Sequence, residues 1–386
     1  MGRCNWDIHP LSYKQVVETY SGGKKKIYEA ARLRVESGSF CKKWAKVRMF
    51  VKPDKYSTCK IKDKVPRAIQ YRRPEYNLCI ARFLRPIEKV LFNMQSKGRR
   101  WFAKGRSLQQ RASDILYIYN SFDNPVIYNL DYAKFDSCVT IPHLKMLHKF
   151  YLSIFPSRTL YNLLQHQLHN VGFSQQGLRY SVDGTRMSGD YDTSLGNSLL
   201  NLLVILMLSE YHGVQIHAYI DGDDALLFTE NTSKEITADM FRCYGLEAEL
   251  ERVDLAGLEF CQTKLIRSSP PTMARNPIKV ISNLAVSINN FDRVTWPKIF
   301  KGKVVCEFWA NQGVPYVCDY MKSLLDEKVT YRVPQEDARR WHMVKDHKKA
   351  VVTPQAYDDL YNAWGFGPLE AQLLFTPVAF ANLSSD

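Results

Sequence analysis

Ala218–Phe228 reads AYIDGDDALLF, an apolar β pattern interrupted by three carboxylates. Ala218, Tyr219 and Ile220 ahead of an Asp-Gly pair, with Ala225–Phe228 behind it, predict a β-hairpin. Turn chemistry accounts for Asp221 and Gly222 but not for Asp223 and Asp224. Adjacent carboxylates beside buried strands repel one another and are costly unless positive charge lies between them. A divalent metal is the simplest such charge.

Upstream, VIYNLDYAKFD predicts a strand over Val126–Leu130 that runs into a carboxylate at Asp131. Two-metal phosphoryl transfer takes carboxylates from separate strands onto cations roughly 3.5–4 Å apart. Asp131 and Asp223, 92 residues apart, can meet only if their strands are neighbours in one sheet. A strand-end Asp by itself is more often a turn residue or a helix cap. Between the two lie a helical stretch over Ile141–Phe155, a polar Gly-rich segment over Gly172–Gly196 and an apolar helix over Leu199–Leu208. A helix around Glu235–Tyr244 and a second β pair around Gly257–Ile266 follow. This order predicts an α+β fold. Beyond Pro277 the chain reads as helical, punctuated by prolines.

The chain has 386 residues, 45% of them hydrophobic and 24% charged, which fits a folded protein of one or two domains. Its formal charge of +14 favours a polyanionic partner. Much of that charge lies before residue 110, in GGKKK, CKKWAKVR, KIKDKVPRAIQYRR and KGRRWFAKGR, interleaved with Trp44, Tyr71, Trp101 and Phe102. One such run is a solvated face; four predict a phosphate-binding channel. Nine scattered cysteines with no C-x-x-C pair argue against a disulfide framework or a thiolate zinc site, and for a reducing compartment. The pairs His166/His169 and His143/His148 have no cysteine at zinc spacing. Met1–Pro10 lacks the apolar core of a secretory signal. The run LLNLLVILML is ten residues long and holds Asn201, too short to span a bilayer, so no transmembrane segment is expected.

Taken in order, DYAKFD with Asp131 and Asp136, SGDYDTSLGN with Ser188, Gly189, Thr193 and Asn197, and then GDD resemble the palm motifs A, B and C of viral RNA-dependent RNA polymerases. KVPRAIQYRRPEYNL (Lys64–Leu78), GTRMSGDYDTSLGN (Gly184–Asn197), EFCQTK (Glu259–Lys264), SGGKKKIYEAA and FVKPDKY are similar to segments of the polymerases of tombusviruses and their relatives. The resemblance covers roughly residues 13–266.

It implies a right-hand fold: fingers over 1–125, palm over 126–140 with motif A, a fingers insertion over 141–185, palm again over 186–275 with motifs B to E, and a thumb over 276–386. Asp131 and Asp223 would be the principal ligands of two Mg2+ ions, for which Mn2+ can substitute, with Asp224 a weaker ligand. Asp136, Ser188, Thr193 and Asn197 would form the pocket that selects the ribose 2′-hydroxyl. Lys64, Arg67 and Arg73 would contact the triphosphate, with Lys52 and Arg72 as further candidates. Gly189, Phe260, Cys261 and Gln262 would support template or nascent strand. Gly22 and Gly23 would correspond to a template-entrance motif.

Two departures from the family pattern stand out. Lys52 is followed by Pro53, Asp54 and Lys55 in place of a glutamate-lysine pair. CYGLEAELERVD offers no lysine as general acid for pyrophosphate; Arg252, the nearest base, is a poor proton donor.

The resemblance further implies template-directed RNA synthesis from NTPs on an RNA template, initiated without a primer. It also implies host cytoplasm, at membrane-associated replication complexes, with a separate membrane-anchoring replication protein as partner. The chain is either a whole product or the C-terminal part of a readthrough product, and the early onset of the resemblance leaves little room for another domain. Two other readings compete. A reverse transcriptase carries a bulky residue near the position of Asp136, and a catalytically silent RNA-binding protein has no need of clustered carboxylates.

Overall fold

The computed structural model describes residues 6–55, 65–231, 234–325 and 327–375, apart from the side chain of Arg339. Lys64 lies outside these. The chain divides into two compact units, Met1–Phe102 with Leu130–Leu227 and Ser233–Leu250, and Ala103–Asn129 with Phe228–Thr232 and Glu251–Asp386.

In the first unit, helices Tyr13–Glu18, Gly22–Glu36 and Pro74–Leu91 share a core of Val16, Val17, Tyr28, Ala31, Leu78 and Ala81. Tyr13–Glu18 starts at a capping box between Ser12 and Gln15. Pro74 sits in the first turn of its helix, and the residue before it, Arg73, is extended (φ −61°, ψ 150°). A four-stranded sheet runs in the order Ala68–Tyr71, Val47–Val51, His169–Ser174, Arg179–Asp183. Val47–Val51 pairs antiparallel with the first of these and parallel with His169–Ser174.

A second four-stranded sheet has the order Ala248–Val253, Pro125–Tyr132, Asp224–Glu230, His217–Asp221. The expected hairpin is present. The strand expected over Val126–Leu130 extends to Tyr132, so Asp131 lies within it. The apolar run Leu199–Leu208 is the middle of a 20-residue helix, Thr193–His212, ended by Gly213 in the left-handed region (φ +67°). This one helix among the described residues is long and apolar enough to cross a membrane by length and composition, and most of it is buried inside the fold. It outruns the ten-residue reading because Asn201, taken there as an interruption, and Asn197 and Ser198 ahead of the run are buried helical residues. The helix expected over Glu235–Tyr244 shrinks to one turn, Asp239–Arg242. Ile236 and Thr237 are β-branched, poor helix formers, and Ile236 is buried in the irregular stretch ahead of that turn.

In the second unit, Glu259–Phe260, Thr263–Ile266 and Thr272–Ala274 form an antiparallel sheet, which includes the expected second β pair. The chain after Pro277 is helical as expected: Trp296–Ala310, Val317–Ser323, Pro354–Trp364 and Pro368–Phe375 pack around Ile266, Val304, Val314, Met321 and Leu360.

Candidate active site

The acidic turn belongs to the first unit. The strands stop at Asp221 and resume at Asp224, so the two central turn residues are Gly222 and Asp223, not Asp221 and Gly222 as the Asp-Gly pair suggests. Gly222 has φ +79°, the conformation a two-residue hairpin demands of a glycine in the first central position. Asp221 is accordingly drawn into the strand and buried, and Asp223 stands at the tip.

The helix Thr193–His212 clamps this tip. Ser198 Oγ accepts a hydrogen bond from the Gly222 N–H (2.9 Å). Asn201 Nδ2 donates to the carbonyls of Gly222 (3.2 Å) and Asp223 (3.0 Å), while its Oδ1 accepts from the Tyr132 hydroxyl (2.9 Å). Residues three apart share one helix face, so a single face fixes the turn and, through Tyr132, the neighbour of Asp131. Ser198, Asn201 and Tyr132 escaped the sequence reading. Their signal was two polar residues at i,i+3 inside an otherwise apolar helix.

The Asp131 and Asp224 strands are adjacent, as a shared site requires. Asp131 is exposed, and its Oδ1 accepts its neighbour Tyr132's backbone N–H (2.8 Å). Burial pushes the Asp223 carboxyl above the usual range, and the charges of Asp136, Asp131 and Asp221 push it the same way. Hard oxygen donors of one sign, close enough that Asp136, Asp131 and Asp221 raise the proton affinity of Asp223, are the chemistry a divalent cation fits. Among the described residues no three His, Cys, Asp or Glu side chains converge as a ligand cage. Asp224 is half-buried and already engaged in the fold.

Asp136 reaches the same region because Lys134 takes a left-handed conformation (φ +53°) that turns the chain into the short helix Phe135–Cys138. Its Oδ1 accepts from Asn197 Nδ2 (2.8 Å). Burial raises its proton affinity, opposed by the Asn197 hydrogen bond and the Arg186 charge. Of the four residues expected to select the ribose, these two are joined. Ser188 Oγ instead accepts from the Gln70 N–H (3.2 Å), and Thr193 Oγ1 donates to the carbonyls of Met187 (2.8 Å) and Asp190 (3.0 Å). Both hydroxyls brace the loop before the helix.

Gly189 packs on the basic strand: its N–H donates to the Gln70 carbonyl (2.6 Å), and a Cβ there would lie 2.5 Å from Tyr71 Cβ and 2.8 Å from Gln70 O. Gly189→Ala therefore forces rigid atoms apart and is expected to cost about 1–3 kcal/mol. A melting curve superimposable on that of the wild type would contradict this contact.

The basic candidates separate. Arg67 is exposed and pairs with Asp54 (Nη2–Oδ2 2.7 Å), which also faces Lys52 (3.4 Å). The departure at Pro53-Asp54 thus supplies a partner to two candidate phosphate ligands. Arg73 lines a cleft of about 590 Å3 with Lys43, Lys46, Arg48, Tyr71 and Phe173, an assembly of cations suited to a polyphosphate. Arg72 is not a phosphate ligand. It is 2% exposed and donates to both Asp190 oxygens (2.9 and 3.0 Å), to Asn170 Oδ1 and to the Ala45 carbonyl. Three neighbouring arginines, Arg67, Arg72 and Arg73, look alike in sequence, and only burial tells them apart.

In the second unit, Phe260 is 1% exposed under the Arg111 guanidinium, so its ring is core and does not meet a strand of nucleic acid. Cys261 and Gln262 form the two-residue tip of that hairpin, both left-handed (φ +51° and +60°), with Gln262 exposed. The four histidines of the two closely spaced pairs are otherwise occupied: His143 bonds the Tyr244 carbonyl, His148 bonds Gln167, His166 stacks on Phe40 and His169 pairs with Asp183.

Comparison with known proteins yields one family. The profile of a family described as "Viral RNA dependent RNA polymerase" matches residues 1–361. The chain is 32% identical over 384 residues to the RNA-directed RNA polymerase of Tobacco necrosis virus (strain A), covering 94% of this chain and 53% of that protein. It is 34% identical over 396 residues to that of Oat chlorotic stunt virus, covering 94% and 52%. With the enzyme of Maize chlorotic mottle virus the identity is 30%, over 95% of this chain and 40% of the relative. The chain thus spans about half the length of the curated relatives it matches.

Proposed function

This chain belongs to the viral RNA-dependent RNA polymerase family, and on that premise we propose that it performs template-directed RNA synthesis, joining NTPs with release of pyrophosphate. The observation that carries the reading is the clamped acidic turn: Asp223 held at the tip by Asn201 and Ser198, beside the strand of Asp131. Divalent cations, Mg2+ or Mn2+, held by Asp131, Asp223 and Asp224 would supply charge neutralisation at the α-phosphate and an acidified attacking hydroxyl. The chain's own contribution is placement, because the clamp fixes the backbone of the turn that carries Asp223 before substrate arrives. Arg73 and its cationic neighbours would hold the triphosphate, Asp136 and Asn197 the sugar, and the Cys261–Gln262 tip the nascent strand. The fingers, palm and thumb division, and action at host membranes with a separate anchoring protein, belong to the same proposal.

A reverse transcriptase is disfavoured by the small Asp136, which accepts from Asn197 and would leave room for a 2′-hydroxyl. The test is incorporation of NTPs against dNTPs on a single-stranded RNA template. The wild type should prefer NTPs, and Asp136→Ala should lower that preference by about tenfold or more, since a site built to bond a hydroxyl rejects the analogue lacking it. Preference for dNTPs by the wild type would end the reading, and an unchanged ratio in the variant would remove Asp136 from the sugar site.

A further inference from the structure

Behind Asp136 runs an unbroken file of polar side chains in the first unit. Asn197 Nδ2 donates to Asp136 Oδ1 (2.8 Å), and Asn197 Oδ1 accepts from Arg186 Nε (3.1 Å). Arg186 Nη1 donates to Asp192 Oδ2 (2.7 Å), whose Oδ1 accepts from Gln167 Nε2 (2.9 Å). Gln167 Oε1 in turn meets His148 Nε2 (3.0 Å). Every member behind Asp136 is buried, from Asp192 at 0% to Asn197 and His148 at 4% exposure.

The file has a direction. A guanidinium can only donate, so Arg186 obliges Asn197 to turn its oxygen inward and its amide nitrogen toward Asp136. The reverse amide would set nitrogen against guanidinium and oxygen against carboxylate. Arg186 cannot swing away: Asp192 holds its head, its backbone N–H donates to the Asp136 carbonyl (2.8 Å), and its head packs where a Cβ on Gly196 would lie 2.4 Å from Nη2. Gln167 fixes the second Asp192 oxygen and has its own amide orientation set by His148. A buried ion pair is a weak source of stability against an apolar replacement, so orientation is what this one supplies.

We propose that Arg186 and Asp192 are positioning residues for sugar selection. They lock the Asn197 amide so that one Asp136 oxygen is always occupied by a donor, leaving the other, which has no partner among the described residues, as the acceptor for a ribose hydroxyl. The inference rests on the polymerase reading and deepens it. Arg186 and Asp192 are buried away from substrate; Arg186→Lys keeps both the charge near Asp136 and the backbone bond to its carbonyl, so what that substitution removes passes through Asn197.

The test is a double-mutant cycle on the full chain, with kcat/KM for NTP and for dNTP measured on an RNA template and folding checked by thermal melting. Arg186→Lys keeps the charge beside Asp192 but loses the planar fork that reaches both partners. It should lower NTP over dNTP discrimination about tenfold, through a higher KM for NTP with dNTP kinetics unmoved. In the Asn197→Ala background the same change should have no further effect on the ratio. A folded Arg186→Lys with wild-type discrimination, or with a loss that adds to that of Asn197→Ala, overturns the proposal. If Arg186→Lys does not fold, Gln167→Met, near in volume, carries the test: a loss of about threefold in discrimination supports the file and an unchanged ratio overturns it. A wild type that makes no RNA or prefers dNTPs overturns the polymerase reading and this inference with it, and is recognised without any variant.

Discussion

Asp223→Asn is expected to reduce RNA synthesis by at least about 10³-fold, equivalent to roughly 4 kcal/mol of lost transition-state stabilisation. The substitution removes a charged oxygen donor from the turn but keeps its shape. The contacts that hold the tip run to the backbone of Gly222 and Asp223, not to the Asp223 carboxylate, and so survive it. Stability should not suffer. Burial and the charges of Asp136, Asp131 and Asp221 raise the folded-state proton affinity of Asp223. Its ionised form therefore weakens the fold as pH rises through that raised value, and the amide removes the penalty. Without divalent metal the variant should melt at or above the wild-type temperature. With Mg2+ the wild type should gain stability by mass action and the variant should gain less. An equal Mg2+ shift in both proteins, or retained synthesis, would remove Asp223 from the site.

The second large effect is structural. Arg72→Met should cost about 3–5 kcal/mol, because it leaves Asp190 charged and buried without its partner and strips Asn170 and the Ala45 carbonyl of a donor. For a chain of this size that lowers the melting temperature by about 4–6 °C. Arg73→Met, one residue away at a half-buried position lining the cationic cleft, should melt within about 0.5 kcal/mol of the wild type and raise KM for NTP. Parallel thermal melts decide it. Equal loss in both variants would mean that the two arginines are not divided between core and cleft.

The sequence made the acidic turn, the strand of Asp131, the second β pair and the helical C-terminal region legible, because each rests on local signals: an Asp-Gly pair, apolar alternation, proline punctuation. The family was legible from the order of its motifs. The partners of those motifs were not. Asn201 read as an interruption in an apolar run and is the residue that grips the turn. Ser188 and Thr193 read as sugar ligands, yet Ser188 Oγ accepts from the Gln70 N–H and the Thr193 hydroxyl donates to the Met187 and Asp190 carbonyls. Arg72 read as a phosphate contact, and Phe260 as a strand contact, because sequence gives chemistry without burial. Arg186, Asp192 and Gln167 span 25 positions and meet only in three dimensions. All three lie in turns or loops, which carry no period that would join them.

The most direct measurement is synthesis of labelled RNA on a short single-stranded RNA template with Mg2+, wild type beside Asp223→Asn. Template-length product that requires NTPs and the metal, formed by the wild type and missing from the variant, is the predicted result. Template-length product from both proteins would contradict the assignment of the clamped acidic turn as the catalytic centre.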